Sequence, residues 1–488
     1  MKRKNKLLLL LLCTAAVTMQ AKVRLPHLIA DNMIVQHDTD VRLWGWDKPG
    51  SKIKATVSWS SQTATATAAK DGTWQLTVRT PQAGYTPLSV TFDDGEKTTV
   101  SGILSGEVWV CAGQSNMEIP VKGFPNCPVE GSQEIVATAA KWKNKIHYCK
   151  VPSVMSMKPL DDAQCWWKPT DISTVMEQSA VGFFFARMLN QALDVPVGLI
   201  EANKGGSRVE SWLSRDYLKA HTDEPLDSQA IVKKYSWDYH RPLLWGNGTF
   251  HPILNYTVKG ILYYQGCSNV DYPSGDYANR LAELAREWRT AFGEGNIPFY
   301  IVQIAPFTYG GGKDGTVAAY LREQQQKASE IIPNSDIVCT NDCVYPWESG
   351  QIHPTQKKPV GERLAFIALN HDYGFKDIRC ESASFKSMEI KGDTCYIRLK
   401  NDYGGISRFE DIEGFEVAGA DRVFHKAVAG HFWVPGNDPR NESIFVTSSE
   451  VSKPVAVRYC FKNFQIGNLG NNAQLPVLPF RTDDWPMK

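Results

Sequence analysis

The chain has 488 residues, with 53 Lys and Arg against 52 Asp and Glu and a formal net charge of +1. This length predicts about two to four domains, each large enough to bury a core of its own. A net charge so close to zero argues against nucleic acid or an acidic membrane surface as the partner, because the chain has no large excess of positive charge to attract either.

The first 21 residues have the pattern of a secretory signal peptide. A basic stretch, MKRKNK, precedes an apolar stretch that begins at Leu7, and Ala21 stands at a suitable cleavage position. The apolar stretch is too short to span a bilayer as a stable anchor, and no later segment approaches the about 18 consecutive apolar residues of a membrane helix. We therefore expect an exported protein, periplasmic or extracellular after cleavage and not stably inserted in a membrane.

Residues 22–103 are predicted to form an N-terminal β-sandwich domain. Short runs that are rich in β-forming residues, or that alternate apolar and polar residues, occur at 41–46, 53–59 and 74–78. Turn sequences such as DKPG and DG separate these runs. Short strands with turns about every ten residues are typical of a small β-sandwich.

Residues 104–373 alternate between strand and helix patterns. Predicted strands cover 108–112, 197–200, 260–264, 299–304 and 337–339, and predicted helices cover 181–193, 277–292, 316–331 and 357–370. The first strand, VWVCA, is apolar without alternation, which is typical of a parallel sheet covered on both faces. Strands that alternate with helices predict an α/β core with a doubly wound parallel sheet.

Residues 374–488 return to the β pattern. Short predicted strands occur at 394–399, 415–417, 443–446 and 454–459. We expect this C-terminal β-rich region, like the N-terminal one, to pack on the α/β core.

The chain has 11 cysteines, and ten of them follow the predicted signal peptide. Their spacing is irregular and matches no known arrangement of metal ligands. We expect mostly free, buried thiols, with one or two disulfides at most, and no metal site.

Ser115 follows strand 108–112 in the turn that leaves it. Gly113 allows that turn to be tight, and open parallel sheets bind ligands beyond the carboxyl ends of their strands. Ser115 is therefore a candidate nucleophile if a base reaches it, and otherwise an ordinary turn serine. Met117 occupies the second glycine position of a GxSxG motif, which argues against the nucleophile elbow of α/β-hydrolases.

Two further motifs also follow strands. Gly205 and Gly206 come after strand 197–200, and paired glycines at a strand end allow a backbone N–H to approach a ligand closely. Gln265 and Asn269 come after strand 260–264 and offer side-chain N–H donors. The alternatives are glycines that only shape a turn and amides that only cap a loop.

His353 lies in a loop just before helix 357–370, near the end of the α/β region. The ordinary pKa of histidine suits a general base at neutral pH. The alternative, more frequent for a single histidine, is a structural side chain.

The order of these motifs resembles that of SGNH-type hydrolases, and residues 106–369 resemble the sialate O-acetylesterase (SASA) family of carbohydrate acetylesterases. The segments that carry the resemblance are GEVWVCAGQSNMEIPV, KGGSRVESW, TVKGILYYQGCSN, IPFYIVQIAPF and IHPTQKKPVGERLA. The ending AVRYCFKNFQIGNLGNNAQLPVLPFRTD also resembles the C-terminal part of the family. The resemblance implies an SGNH-hydrolase-like core flanked by N- and C-terminal β-rich regions.

The resemblance also implies residue roles. Ser115 corresponds to the nucleophile and His353 to its base. The Ser115 backbone N–H, a glycine of Gly205-Gly206, and an amide of either Gln265 or Asn269 correspond to an oxyanion hole. No metal or other cofactor is implied.

Two further residues are predicted to contact substrate. Gln114 precedes Ser115 directly, and Arg208 follows the glycine pair. The family implies an O-acetylated sialic acid as substrate, and because free sialate is an anion, a basic residue is expected near the site. An ion pair with a purely structural role is the alternative for Arg208.

The sequence departs from the family pattern at two places. Cys267 stands where relatives often have glutamate, and Gly350 and Gln351 stand where many relatives have the aspartate that precedes the histidine. The acid of the triad is then either Glu348, the more distant Asp342, or absent. Without an acid, the imidazolium that forms during catalysis would lack a buried negative charge to stabilise it.

The sequence therefore predicts a serine esterase that removes O-acetyl groups from sialic acids. An acetylesterase for xylan or another plant glycan is an alternative within the same chemistry. A carbohydrate-binding protein with a decayed esterase core is the alternative of another class, because the aspartate and the glutamate are missing.

Overall fold

A computed structural model describes residues 22–270, 274–311, 314–407, 411–432 and 443–486. The predicted signal peptide, residues 1–21, lies outside the described residues. The N-terminal strands are β1 (Ile34–Gln36), β2 (Asp40–Trp46), β3 (Lys52–Val57), β4 (Thr63–Thr67), β5 (Thr73–Arg79), β6 (Gly84–Asp93) and β7 (Lys97–Gly113).

The central elements are α1 (Ser115–Glu118), α2 (Ser132–Thr138), β8 (Ile146–Lys150), β9 (Trp167–Pro169), α3 (Ala180–Leu193), β10 (Val197–Asn203), α4 (Arg215–His221), α5 (Ser228–Lys234), β11 (Gly260–Tyr264), α6 (Tyr277–Phe292), β12 (Phe299–Val302), α7 (Val317–Ile331), β13 (Ser335–Val338) and α8 (Lys358–Asp372). The C-terminal strands are β14 (Ser384–Lys391), β15 (Thr394–Lys400), β16 (Ile406–Ser407), β17 (Phe415–Ala418), β18 (Phe424–Lys426), β19 (Val428–Phe432), β20 (Ser443–Thr447), β21 (Ala456–Tyr459), β22 (Gly470–Asn471) and β23 (Phe480–Arg481).

The N-terminal strands follow the alternation in the sequence: in β3 and β5 every second side chain is buried. Strand β2 pairs antiparallel with β5, and β3 pairs antiparallel with β4 and β6. Strand β6 then pairs with the first part of β7. With 17 residues, β7 continues into the central sheet, so that the predicted boundary at residue 103 falls inside a strand that both regions share.

The central sheet has the strand order β13-β12-β11-β7-β10-β8-β9. Its strands are parallel, except that β9 pairs antiparallel with β8. Strands β8 and β10 lie on one side of β7, and the later strands β11 to β13 lie on the other. In such a doubly wound sheet a ligand-binding crevice is expected at the carboxyl ends of the strands, where the order reverses.

Helices cover both faces of the central sheet, which confirms the predicted fold class. Along β7, Trp109 and Cys111 belong to a core that is shared with α3 and α8. Val108, Val110 and Ala112 belong to the core on the other face, with α6 and α7. All five side chains are buried, which explains why this strand has no polar alternation.

The C-terminal region forms two main antiparallel sheets, β14-β15-β20-β19 and β18-β17-β21-β23, around a core of their own. The region contacts α7. The Asn463 side-chain oxygen accepts a hydrogen bond from the Ala318 N–H at 2.9 Å, and Arg481 pairs with Glu323 at 2.9 Å. These contacts fix the β-rich region against the α/β core.

Each of the ten cysteines within the described residues is a free thiol, and all except Cys127 are buried. In the same part of the chain, no helix combines the length and the apolar character needed to cross a bilayer.

Candidate active site

Ser115 lies directly beyond the carboxyl end of β7, as the first residue of α1. The turn between them depends on Gly113, whose φ is +135° and where an added Cβ would lie 2.2 Å from the Tyr264 carbonyl oxygen. The Gln114 N–H donates to that same carbonyl at 2.9 Å. Only glycine combines this backbone conformation with such a close approach to β11, and the turn therefore presents Ser115 at the edge where ligands bind.

The structure brings His353 to Ser115. Its Nε2 atom lies 2.8 Å from Ser115 Oγ, which is hydrogen-bond distance. Both side chains are half-buried. A serine with an imidazole at this distance has the geometry of a nucleophile and its general base.

The other ring nitrogen of His353 faces a thiol. Nδ1 lies 3.6 Å from Cys127 Sγ, and Cys127 Sγ in turn lies 3.5 Å from Gln351 Oε1. When Nε2 accepts the serine proton, Nδ1 carries the hydrogen and donates it to the sulfur. Phe124, from the same loop as Cys127, packs edge-on against the imidazole with ring centroids 5.5 Å apart.

Neither predicted acid occupies this position. Both carboxylate oxygens of Glu348 accept backbone N–H groups, from Tyr345 at 2.9 Å and Thr355 at 3.1 Å. Within the described residues, no hydrogen bond or ion pair joins Glu348 to His353. Asp342 forms a two-pronged ion pair with Arg363 at 2.7 and 2.6 Å. Glu348 therefore holds the loop that carries His353, and the thiol of Cys127 stands where a triad acid is expected.

A buried lysine lies close to His353. Lys357 Nζ donates to Asn116 Oδ1 at 2.7 Å, and Asn116 Nδ2 donates to the Ile352 carbonyl at 2.9 Å. Burial, together with the positive charge of Lys357, lowers the pKa of His353 to about 4. Burial also lowers the pKa of Lys357 itself to about 8. The imidazole of His353 is thus neutral at neutral pH, which a general base requires.

The glycine pair lies beside Ser115. An added Cβ on Gly205 would be 3.4 Å from Ser115 Cβ, and the Gly205 N–H donates to Glu118 Oε2 at 2.6 Å. Gly206 has a φ of +76° and packs against the ring of Tyr239. Among the described residues, no group accepts the N–H of Gly206 or of Ser115. These two N–H groups therefore remain open to a ligand.

The side-chain amides of Gln265 and Asn269 differ in how many of their N–H groups lack an acceptor. Gln265 Nε2 donates to the Ser207 carbonyl at 3.0 Å and to Asn269 Oδ1 at 2.9 Å, so both of its N–H groups are used. Asn269 Nδ2 donates to Glu210 Oε2 at 2.9 Å. One N–H of Asn269 has no acceptor in the described part of the chain, which favours Asn269 over Gln265 as a donor.

The two predicted substrate contacts are also held by protein groups. Gln114 is 2 % exposed, and its Oε1 accepts the Gly266 N–H at 2.8 Å, which ties the end of β7 to the loop after β11. The Arg208 Nε donates to the Ser268 carbonyl at 3.1 Å, and its guanidinium lies 5.5 Å from the ring of Tyr235.

One cluster of possible metal ligands was not predicted. Asp336, His371 and Cys380 meet at the amino end of β13, the edge of the sheet opposite to Ser115. His371 Nε2 lies 3.7 Å from Asp336 Oδ2 and 3.9 Å from Cys380 Sγ. Ligand atoms around a four-coordinate zinc stand about 3.3–3.6 Å apart, so the three side chains would have to move closer together. The cluster is separate from the Ser115–His353 pair.

A family model described as carbohydrate esterase, sialic acid-specific acetylesterase (SASA), matches residues 105–370. The chain belongs to this family. The matched residues include strands β8 to β13, the part of β7 that pairs with β10 and β11, and both Ser115 and His353, so that the family resemblance of the sequence is confirmed.

Known acetylesterases resemble the chain over most of its length. The sialate O-acetylesterase of Mus musculus is 26 % identical and covers 97 % of each chain. That of Homo sapiens is 28 % identical over 75 % of this chain and 74 % of its own. The crystal structure of a carbohydrate acetylesterase from Xanthomonas citri matches with a TM-score of 0.83 and 31 % identity, over 95 % of this chain and 100 % of that one. The SASA-family chain is accordingly an esterase with the fold of a carbohydrate acetylesterase.

Proposed function

We propose that this esterase removes O-acetyl groups from sialic acids through an acetyl-enzyme on Ser115, with His353 as general base. The observation that carries the proposal is the distance of 2.8 Å between Ser115 Oγ and His353 Nε2 at the carboxyl edge of a SASA-family sheet. A base within hydrogen-bond reach activates a serine for acyl transfer.

In the first step, His353 Nε2 takes the proton of Ser115 Oγ while Oγ attacks the acetyl carbonyl carbon. The carbonyl oxygen becomes an oxyanion. The N–H groups of Ser115 and Gly206 and the remaining N–H of Asn269 are suited to stabilise it, because each lacks a protein acceptor among the described residues. A donor of this kind contributes about 10²–10³ in rate in comparable sites.

The tetrahedral intermediate then collapses. His353 gives its proton to the sugar oxygen, which leaves as an alcohol, and the acetyl group stays on Ser115 Oγ. A water molecule then attacks the carbonyl carbon of this ester while His353 takes its proton. The bond between that carbon and Ser115 Oγ breaks, His353 returns the proton to Oγ, and acetate leaves. The same base serves both halves of the reaction, so no metal or cofactor is required.

The choice of sialic acid rests on the names of the family and of the curated mammalian relatives. We further propose that residues 1–21 direct export and are removed after Ala21, since their basic and apolar stretches have the signal-peptide pattern. Sequencing the N-terminus of the mature protein tests that cleavage.

Acetate release from O-acetylated sialic acid by the wild type and Ser115→Ala tests the proposal. Wild-type release with loss in the variant is expected, together with covalent labelling of Ser115 by a fluorophosphonate probe. Near-wild-type hydrolysis by Ser115→Ala would overturn the mechanism. Faster release from acetylated xylan than from acetylated sialic acid would overturn the substrate, and the absence of both labelling and hydrolysis would favour a binding protein with a decayed core.

A further inference from the structure

A polar cavity of about 410 Å³ adjoins the Ser115 loop. It lies at the carboxyl ends of β8 and β10, with one wall formed by the segment that leads into β9. Glu118 links it to the candidate active site, since this residue lines the cavity while its Oε2 accepts the Gly205 N–H. Its lining includes the side chains of Glu118, Lys150, Trp166, Lys168, Glu201 and Asn203.

Two buried acceptors in this cavity lack protein donors. Glu201 is 1 % exposed, and its Oε1 accepts the Ser179 N–H at 2.9 Å, but its Oε2 has no partner among the described residues. Asn203 is 5 % exposed, and its Oδ1 likewise has none. Buried acceptors without donors are costly, so a ligand that donates O–H or N–H groups would relieve both.

An exposed tryptophan forms part of the wall. Alternation along the segment that leads into β9 turns Gln164, Trp166 and Lys168 outward to the cavity, whereas Cys165 and Trp167 are buried in the core. Trp166 is 57 % exposed, and His27 packs edge-on against it with ring centroids 5.7 Å apart. A large aromatic face beside unsatisfied polar atoms suits a ligand with an apolar face and a polar rim, which is the character of a sugar ring.

Two lysines give the cavity a positive side. Lys150 donates to the Glu177 carbonyl at 3.3 Å, and Lys168 has no ion pair within the described residues. Two carboxylates also line the cavity, but Glu118 is held by Gly205, and burial raises the pKa of Glu201 to about 7. Lysine ammonium groups recognise carboxylates, so the two lysines favour an anionic sugar over a neutral one.

We propose that this cavity binds the acidic sugar that carries the ester. The sugar carboxylate pairs with Lys168 and Lys150, sugar O–H or N–H groups donate to Glu201 Oε2 and Asn203 Oδ1, and the ring packs on Trp166. The assignment rests on the proposed function, because it gives the sialic acid specificity of that function a physical site. It concerns recognition of the sugar and leaves the acyl-transfer chemistry to Ser115 and His353.

Kinetics on paired substrates test the site. We expect Trp166→Ala to raise KM for O-acetylated sialic acid about tenfold. The loss of kcat/KM should be at least about fivefold larger for this substrate than for 4-nitrophenyl acetate, which has no sugar. Trp166→Phe should recover most of the loss. Lys168→Gln should raise KM about fivefold for the sialate anion but not for its methyl ester, whereas Lys97→Gln, on the exposed start of β7, should change neither value.

Equal losses on the sugar and on 4-nitrophenyl acetate, or equal effects of Lys168→Gln on the anion and the methyl ester, would overturn the assignment. Calorimetry of non-acetylated sialic acid with Ser115→Ala measures binding to the cavity without any hydrolysis. If Ser115→Ala binds this sugar, and adding Trp166→Ala or Lys168→Gln weakens the binding, the site is supported even if the wild type fails to release acetate. If Ser115→Ala does not bind the sugar, the assignment is overturned even if the esterase is active.

Discussion

The Nδ1 atom of His353 faces the sulfur of Cys127 at 3.6 Å. In a Ser-His-Asp triad a carboxylate takes this position, fixes the tautomer and stabilises the imidazolium. The thiol provides the first effect, because it accepts the Nδ1 hydrogen and points its own hydrogen to Gln351 Oε1 at 3.5 Å. It contributes no negative charge while protonated, so Cys127 acts as a positioning residue.

Replacing Cys127 by alanine should therefore have a modest effect on the rate. A net hydrogen bond of about 1 kcal/mol corresponds to a loss of about fivefold in kcat, with KM nearly unchanged, because the lost contact orients the base and does not touch substrate. Initial rates on a soluble acetyl ester give both constants.

Cys127→Asp, compared with Cys127→Ala, adds a negative charge beside Nδ1 of His353. A carboxylate at Nδ1 should raise the pKa of His353 and move the acid limb of the kcat/KM profile upward, while Cys127→Ser leaves that limb where it is. A wild-type rate for Cys127→Ala, with no displacement of the acid limb in Cys127→Asp, would contradict the positioning role.

Lys357 also affects the pH range over which the esterase is expected to be active. The pKa of His353 is lowered to about 4, first by burial and then by the charge of Lys357, so its imidazole remains neutral and available as the proposed base well below pH 6. Lys357→Gln removes the charge but keeps a donor for Asn116 Oδ1. The pKa of His353 should then rise, and the acid limb of kcat/KM should move to higher pH.

The pH dependence of kcat/KM, measured from pH 3.5 to 7 in wild type and Lys357→Gln, checks this expectation. Lys122→Gln is the control, because Lys122 is exposed and pairs with Glu177 on the surface. An acid limb that stays at its wild-type position in Lys357→Gln would show that burial alone lowers the pKa.

Much of the central fold was predictable because local pattern and burial agree. The unbroken apolar run VWVCA became a strand buried on both faces, and the alternating runs of β3 and β5 became strands buried on one. The single strand β7 was harder to predict as one element, since its first part alternates and its second part does not. This change of pattern reflects a change of environment along one strand, from a sheet with an exposed face to the middle of a covered sheet.

The candidate site was predictable where its residues are close in sequence to a motif. Ser115 and His353 both follow glycine- or proline-containing turns beside regular elements, and Asn116 and Glu118 are visible in the same motif as Ser115. Cys127 carries no such signal, because 226 residues separate it from His353 and only the packing of two loops joins them. The role of Lys357 was hard to predict for another reason, since a lysine at a helix start normally lies on the surface.

The free N–H of Asn269 predicts a difference between two neighbouring amides. Asn269→Ala should lower kcat by about 10²-fold and leave KM nearly unchanged, because a donor to the oxyanion acts in the transition state. Gln265→Ala removes a side chain of the same network whose N–H groups are both used, and should lower the melting temperature with a smaller effect on kcat. If Asn269→Ala and Gln265→Ala lose kcat to a similar extent and have the same melting temperature, the distinction between the two amides is wrong.

The turn at Gly113 allows a test of what holds Ser115 in position. At Gly113 the φ of +135° is strained for any other residue, and an added Cβ would stand 2.2 Å from the Tyr264 carbonyl, which belongs to backbone and cannot give way cheaply. At Gly50 the φ of +86° is also strained, but nothing lies within 4 Å of an added Cβ. Gly50→Ala should therefore cost only backbone strain, about 1–2 kcal/mol in the free energy of unfolding.

Gly113→Ala should cost at least about 3 kcal/mol, because steric overlap adds to the strain, and it should also abolish turnover by pushing β7 and β11 apart beneath Ser115. Denaturant unfolding and acetate release, measured on both variants, separate the two contributions. If Gly113→Ala is no less stable than Gly50→Ala and keeps its activity, the close approach of the two strands is not what positions the nucleophile.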